Sequence, residues 1–187
     1  MLEDIRNALD ILRKGGIILY PTDTIWGIGC DATREDAVQR IYDLKKRRDE
    51  KSMLILLDDS SKLTDYVAEV PGIAWELLDV ADKPLTIIYP GAQHLAGNLI
   101  AADGSIGIRI IKDEFCNNLI SRLGKPLVST SANISGMPWP AAFRHIDKSI
   151  VKGVDYVVKW HQRSEFHSKP SGIIKIGLQG EVQVIRE

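Results

Sequence analysis

The sequence predicts a single α/β (α+β) domain, a mixed sheet with helices on its faces. Three observations lead there. The chain has 187 residues, inside the roughly 100–200 residues of one ordinary domain. Helix-period and strand-period segments are mixed along the whole length instead of separating into blocks. No internal repeat and no low-complexity linker interrupts the pattern, so residues 1–187 read as one domain.

The elements follow in order. Ile5, Ala8, Leu9 and Leu12 recur at i, i+3, i+4 and i+7, one face of a helix, which Gly15 and Gly16 stop. Ile17–Tyr20 reads as a short buried strand closed by Pro21, and Trp26–Cys30 as a second. A helix from about Arg34 carries Ala37, Val38, Ile41, Tyr42 and Leu44 and runs into the basic segment 45–48. Met53–Leu57 is a continuous apolar run of strand length, the pattern of a strand covered on both faces. Pro71–Val80 reads as helix, Leu85–Tyr89 as strand, and Pro90-Gly91 as a turn. Ser105–Ile111 alternates as a strand. Glu114–Leu123 is an amphipathic helix ended by Gly124. Leu127–Ser129 is a short buried strand and Trp139–Ile146 a short helix. Val154–Lys159, Gly172–Ile176 and Val182–Arg186 close the sheet. The polar segment 160–170 is expected to be a loop over the site.

Composition narrows the class. Hydrophobic residues make up 44% and charged residues 26%, ordinary for a globular protein, and a chain of this size buries about 70% of its unfolded surface. The formal net charge is −1, so phosphate or nucleic acid must be met by a local patch. Cys30 and Cys116 lie far apart without metal-ligand spacing and read as reduced, partly buried thiols. The N-terminus is acidic and amphipathic, unlike a signal peptide. No stretch approaches the ~20 apolar residues of a membrane span. A cytoplasmic protein is expected.

Four polar segments carry candidate chemistry. In Tyr20-Pro21-Thr22-Asp23-Thr24 the two threonine hydroxyls point the same way on an extended backbone; they either meet a ligand or bond the local turn. Lys45-Lys46-Arg47-Arg48-Asp49-Glu50-Lys51 suits a triphosphate, with arginine forks and movable lysine charges; equally it suits a solvated helix end. Arg109, among apolar strand residues, must pair with an internal carboxylate or await an anionic ligand. Ser129-Thr130-Ser131-Ala132-Asn133-Ile134-Ser135-Gly136 offers small polar side chains and backbone N–H groups to a ligand, or is a plain turn. Lys169-Pro170-Ser171-Gly172 stands at another strand entrance. P-loop, dinucleotide-binding and nucleophile-elbow motifs are absent. The four histidines form no metal set, which leaves Mg²⁺ travelling with substrate phosphates.

In this order and spacing the segments resemble the YrdC family of threonylcarbamoyl-AMP synthases, from about Ile5 to Glu187. YPTDTIWGIGCDA resembles the family's Y-P-T-E-T-x-Y-G-L-x-x-D-A, KKR its K-x-R, and STSANISG its S-x-S-A-N-x-S-G. The resemblance implies a twisted mixed sheet with a positively lined concave cavity. It implies a nucleotidyltransferase that makes L-threonylcarbamoyl-AMP and pyrophosphate from L-threonine, bicarbonate (or CO₂) and ATP carrying Mg²⁺. A downstream tRNA threonylcarbamoyl transferase would use the product. Lys45 and Arg47 would hold ATP phosphates and stabilise the transition state, with Lys51, Ser105, Ser131 and Asn133 also on ATP. Thr22, Thr24, Arg109, Ser129 and Ser171 would hold threonine. No protein nucleophile and no protein-held metal is expected. Trp26 replaces a family tyrosine, Asp23 a glutamate, and Leu56 stands where some members have a threonine-contacting histidine. Two other readings are a YciO-like paralogue of altered activity and a module contacting tRNA or double-stranded RNA through backbone charges.

Overall fold

The computed structural model describes residues 1–46, 53–164 and 169–187. Helix α1 (Leu2–Arg13) ends where Gly15 takes the left-handed conformation at φ 81°, which costs a residue without Cβ little. Strands β1 (Ile18–Tyr20) and β2 (Gly27–Gly29) precede helix α2 (Glu35–Lys45). That helix stops at Lys45 because Lys46 turns left-handed, at φ 51°. Strand β3 (Leu54–Leu57), helix α3 (Leu63–Tyr66) and helix α4 (Gly72–Val80) follow, then β4 (Leu85–Tyr89) and β5 (Ile106–Ile110). Helix α5 (Glu114–Leu123) starts on the Asp113 carboxylate, which accepts from Cys116 N–H, and ends at left-handed Gly124. Strand β6 (Leu127–Ser131), helix α6 (Lys148–Gly153), and strands β7 (Tyr156–Val157), β8 (Gly172–Ile176) and β9 (Val182–Arg186) complete the described elements.

Three expectations need correction. The helix expected over Trp139–Ile146 is only a 3₁₀ turn at Phe143–His145; Pro140 lacks the donor and keeps Trp139 out of the α region. Helices α3 and α6 were not expected. Both are short, and their signals are local: Asp59 accepts from Ser61 N–H just ahead of α3, and Asp147 from Ser149 N–H at the start of α6. Strand β7 is shorter than Val154–Lys159, because Asp4 Oδ1 and Oδ2 take the N–H groups of Lys159 and Trp160 at 3.0 Å each.

Among the described residues the strands form one mixed nine-stranded sheet in the order β7-β1-β2-β6-β3-β5-β4-β8-β9. Alternation splits its side chains between two layers. Leu19, Ile55, Leu57, Val128, Ile87 and Ile174 point to one core, shared with Val38 and Ile41 of α2 and Ile150 of α6. Ile18, Tyr20, Leu56 and Leu127 point to the other, shared with Ile5, Leu9 and Leu12 of α1 and Phe115, Leu119 and Ile120 of α5. Each fully buried Leu or Ile contributes about 1.5–3 kcal/mol, so the α1 stripe is a major attachment of that helix. Both cysteines are buried and unbridged, and no described helix is long and apolar enough to cross a membrane.

Helices α1 and α5 do not cover their whole side of the sheet. Beyond them the same face continues through Ser129, Leu54, Gly107 and Ile88, which are cross-strand neighbours on β6, β3, β5 and β4. Ile173 and Arg186 extend it as paired residues of β8 and β9. That uncovered part is the floor of a cavity.

Candidate functional site

The cavity has a volume of about 250 Å³. Thr22, Thr24, Arg109, Ser129, Ser131 and Ser171, all anticipated from sequence, line it. The charged residues among the described lining are Arg109 and Arg186, and no carboxylate, histidine or cysteine belongs to that described lining. A cavity of this kind attracts anions.

Arg109 reaches the floor because β5 alternates: Ile108 points into the opposite core, and Arg109 pairs across to Leu56 in register. The guanidinium is 5% exposed. Its Nη1 donates to Thr24 Oγ1 at 3.1 Å, its Nη2 binds Asp23 Oδ1, and its buried Nε lacks a hydrogen-bond partner. The sequence left open whether Arg109 meets a carboxylate or a ligand. It meets a carboxylate on one edge and still faces the cavity. Burial pushes the Asp23 carboxyl above its ordinary value, and the Arg109 charge pulls against that.

The two threonines play different parts. Thr22 Oγ1 accepts from the N–H groups of Thr24 and Ile25 at 3.1 and 3.2 Å and donates to Ile25 O at 2.8 Å. Its single proton is then used, so in the 3.0 Å contact between the two hydroxyls Thr24 is the donor. Thr22 closes the turn, the bland alternative of the sequence reading. Thr24, held by Thr22, presents its oxygen to Arg109.

Lys45, at the head of the basic segment, behaves differently from a solvated helix end. It is 2% exposed, and its Nζ donates to the main-chain oxygens of Ser131 and, at 2.6 Å, Asn133. It braces the strand that ends in Ser131, and it is not among the cavity-lining residues. Arg47 and Lys51 lie outside the described residues. Asn133 also turns to the main chain: its Nδ2 donates to the oxygens of Ile134 and Met137. Ser105 Oγ donates to Asp103 Oδ1 at 2.6 Å, again away from the cavity lining. Leu56, at the family's histidine position, is fully buried against α1 and α5.

Three lining residues were missed by sequence reasoning. Thr86 is 1% exposed, with its Oγ1 2.8 Å from Ser171 Oγ. Arg186 Nε and Nη2 donate to Ser171 O at 3.0 and 2.8 Å. Ser171 is therefore gripped at both its hydroxyl and its carbonyl. The signal for each was a polar side chain at a strand position of the same parity as Arg109, within LTIIY and VQVIR. The third is Trp139, half exposed at the rim. Trp26, also in the lining, is fully buried and packs on Phe143 with ring centroids 5.0 Å apart.

The chain is similar to known proteins of one family. The family described as "Telomere recombination" (Sua5/yciO/yrdC) matches residues 10–187. A protein of Methanocaldococcus jannaschii named "Putative threonylcarbamoyl-AMP synthase" is 36% identical over 179 residues, covering 93% of this chain and 83% of its own. The "Threonylcarbamoyl-AMP synthase" of Vibrio parahaemolyticus is 31% identical, covering 73% and 76%. The crystal structure of E. coli YciO superposes with a TM-score of 0.84 at 26% identity, over 98% of this chain and 88% of that one. The H234A/Y235A form of P. abyssi Sua5 superposes with a TM-score of 0.83 at 25% identity; the chain covers 52% of it, about half its length.

Proposed function

The chain belongs to the Sua5/YciO/YrdC family, and from that premise we propose that it is an enzyme that makes L-threonylcarbamoyl-AMP for tRNA threonylcarbamoyladenosine modification. The observation that carries the reading is Arg109: a nearly buried guanidinium, fixed by Thr24 and Asp23, on the floor of a cavity lined by hydroxyls. Such a group binds a small carboxylate, and the surrounding hydroxyls suit the remaining polar atoms of an amino acid.

The proposed chemistry needs no protein nucleophile. The threonine amine forms a C–N bond to bicarbonate carbon with loss of water, giving a carbamate. A carbamate oxygen then forms a bond to the α-phosphorus of ATP while the bond to the β-phosphate bridge breaks, and pyrophosphate leaves. The protein's part is to place two anions side by side and to neutralise charge as it moves toward the leaving group. Arg109 and Thr24 hold the amino acid, Ser171 approaches it from β8, and Ser129 and Ser131 lie between it and the nucleotide. Arg47 and Lys51 are assigned to the phosphates on the family pattern, with Mg²⁺ carried in on ATP. Lys45 shapes the nucleotide side by holding the Ser131 and Asn133 carbonyls in place. A cytoplasmic tRNA threonylcarbamoyl transferase is the proposed consumer of the product.

The test is pyrophosphate release with ATP, L-threonine and bicarbonate, with the product followed by mass. Release should require all three substrates. Release that ignores threonine would refute the assignment, and salt-sensitive binding of double-stranded RNA without any release would favour an RNA-contacting module.

A further inference from the structure

The cavity is small for both substrates. Pockets that enclose a drug-sized ligand run to about 300–1,000 Å³, whereas this one has about 250 Å³. An amino acid fits inside it, and a nucleoside triphosphate must extend across the rim. What stands at that rim is Trp139.

Trp139 lines the cavity yet leaves 50% of its surface in water. A large indole is held in that position by a built loop. Strand β6 ends at Ser131. Lys45 then fixes the Ser131 and Asn133 carbonyls, and Ser135 N–H donates back to Lys45 O at 3.0 Å. The Asn133 amide ties down the carbonyls of Ile134 and Met137, and Met137 N–H donates to Ile134 O at 3.0 Å. Gly136, at φ 85°, makes the turn possible. Pro138 and Pro140 flank the tryptophan and restrict its backbone to extended conformations. These bonds hold the loop's main chain, and Trp139 is the aromatic side chain that the loop brings to the described cavity lining.

We propose that Trp139 is the stacking platform for the adenine ring of ATP. The inference rests on the synthase reading, and it names a base-recognition residue that this reading does not require. The flat indole face offers stacking to a purine while the phosphates run inward toward the cationic part of the site. Aromatic–base stacking is worth about 1–3 kcal/mol per base, enough to decide whether the nucleotide is retained. It gives Lys45 and Asn133 an indirect part in the proposed nucleotide binding, since they hold the loop that carries the ring.

The experiment uses calorimetric titration of the full chain with three probes: ATP, inorganic tripolyphosphate and L-threonine. Trp139→Ala should raise the Kd for ATP roughly 5- to 150-fold, with tripolyphosphate, which has no base, changed less than about twofold. Trp139→Phe should recover most of the ATP affinity. L-Threonine binding should be unchanged in both variants, which also reports that the fold is intact. Equal weakening of ATP and tripolyphosphate would make Trp139 a structural residue and overturn the proposal, as would ATP affinity indifferent to the alanine change. If the unaltered protein bound no ATP, the synthase reading itself would fall and this inference with it.

Discussion

Replacing Arg109 by alanine separates two jobs of one side chain. The guanidinium is 5% exposed, and its partner Asp23 keeps 26% of its side chain in water. Removing one member of a buried ion pair costs about 3–5 kcal/mol. Asp23 can rehydrate in part, so the lower end applies, about 3 kcal/mol. For a domain of this length each kcal/mol moves the melting temperature by about 2–4 °C, so a fall of roughly 6–12 °C is expected. The ligand loses a charge-assisted hydrogen bond worth about 1.5–3 kcal/mol, a rise of about 10- to 150-fold in the Kd for L-threonine. ATP affinity should change little. Calorimetry below the variant's melting point reads both. The double change Asp23→Asn, Arg109→Met removes both charges and should restore most of the melting temperature but none of the threonine affinity. If Arg109→Ala bound threonine as the original does, or lost ATP binding alone, the placement of the carboxylate on Arg109 would be wrong.

Other consequences are smaller. Thr86→Val removes the partner of the Ser171 hydroxyl, a bond worth about 0.5–1.5 kcal/mol; kcat/KM for threonine should fall roughly 2- to 12-fold, and no change would mean the pair is ornamental to the site. Gly29→Ala would put a Cβ 2.5 Å from Val128 O and 2.8 Å from Tyr20 Cε1, so the β2–β6 pairing must shift; overpacking of this kind costs about 1–3 kcal/mol, read as a lower urea midpoint, and an unchanged midpoint would refute the contact. Asp103 is held down to about 2, first by the Lys175 ammonium and then by Ser105. Because its folded value lies below the ordinary 3.8, its contribution is present above about pH 4 and disappears as pH falls toward about 2. The group is exposed, so the effect is under about 1 kcal/mol; melting of Asp103→Asn should trail the unaltered protein above pH 4 and converge with it near pH 2.

The fold was legible where period and chain length agreed. Ile5, Ala8, Leu9 and Leu12 announced α1, and Met53–Leu57 announced a strand covered on both faces, which β3 is except at Leu54 on the cavity floor. Helices α3 and α6 were missed because four to six residues carry too little periodicity to register. Part of the cavity lining was also legible, since Thr24, Arg109, Ser129 and Ser171 come together in it. The part played by Lys45 was not. A run of cations says that charge is present, and says nothing of a single Nζ turning inward to two carbonyls. Thr22 shows the same limit: its hydroxyl is used by the turn, a choice that depends on backbone direction. The short helix expected over Trp139–Ile146 fails at its start, where Pro140 keeps Trp139 out of the α region.

The Asp4 carboxylate, near the start of the chain, accepts from Tyr156 hydroxyl at 2.6 Å and from the N–H groups of Lys159 and Trp160. Strand β1 likewise pairs with β7, some 138 residues later. During synthesis, then, the first helix leaves the ribosome long before the groups that anchor it. Closing a loop of that length is slow, because its entropy is lost before the contacts repay it. Until the chain has passed Trp160, the Ile5, Leu9 and Leu12 stripe has no completed surface to lie on. The nascent domain therefore waits with an apolar helix exposed, a natural substrate for chaperones that hold emerging chains.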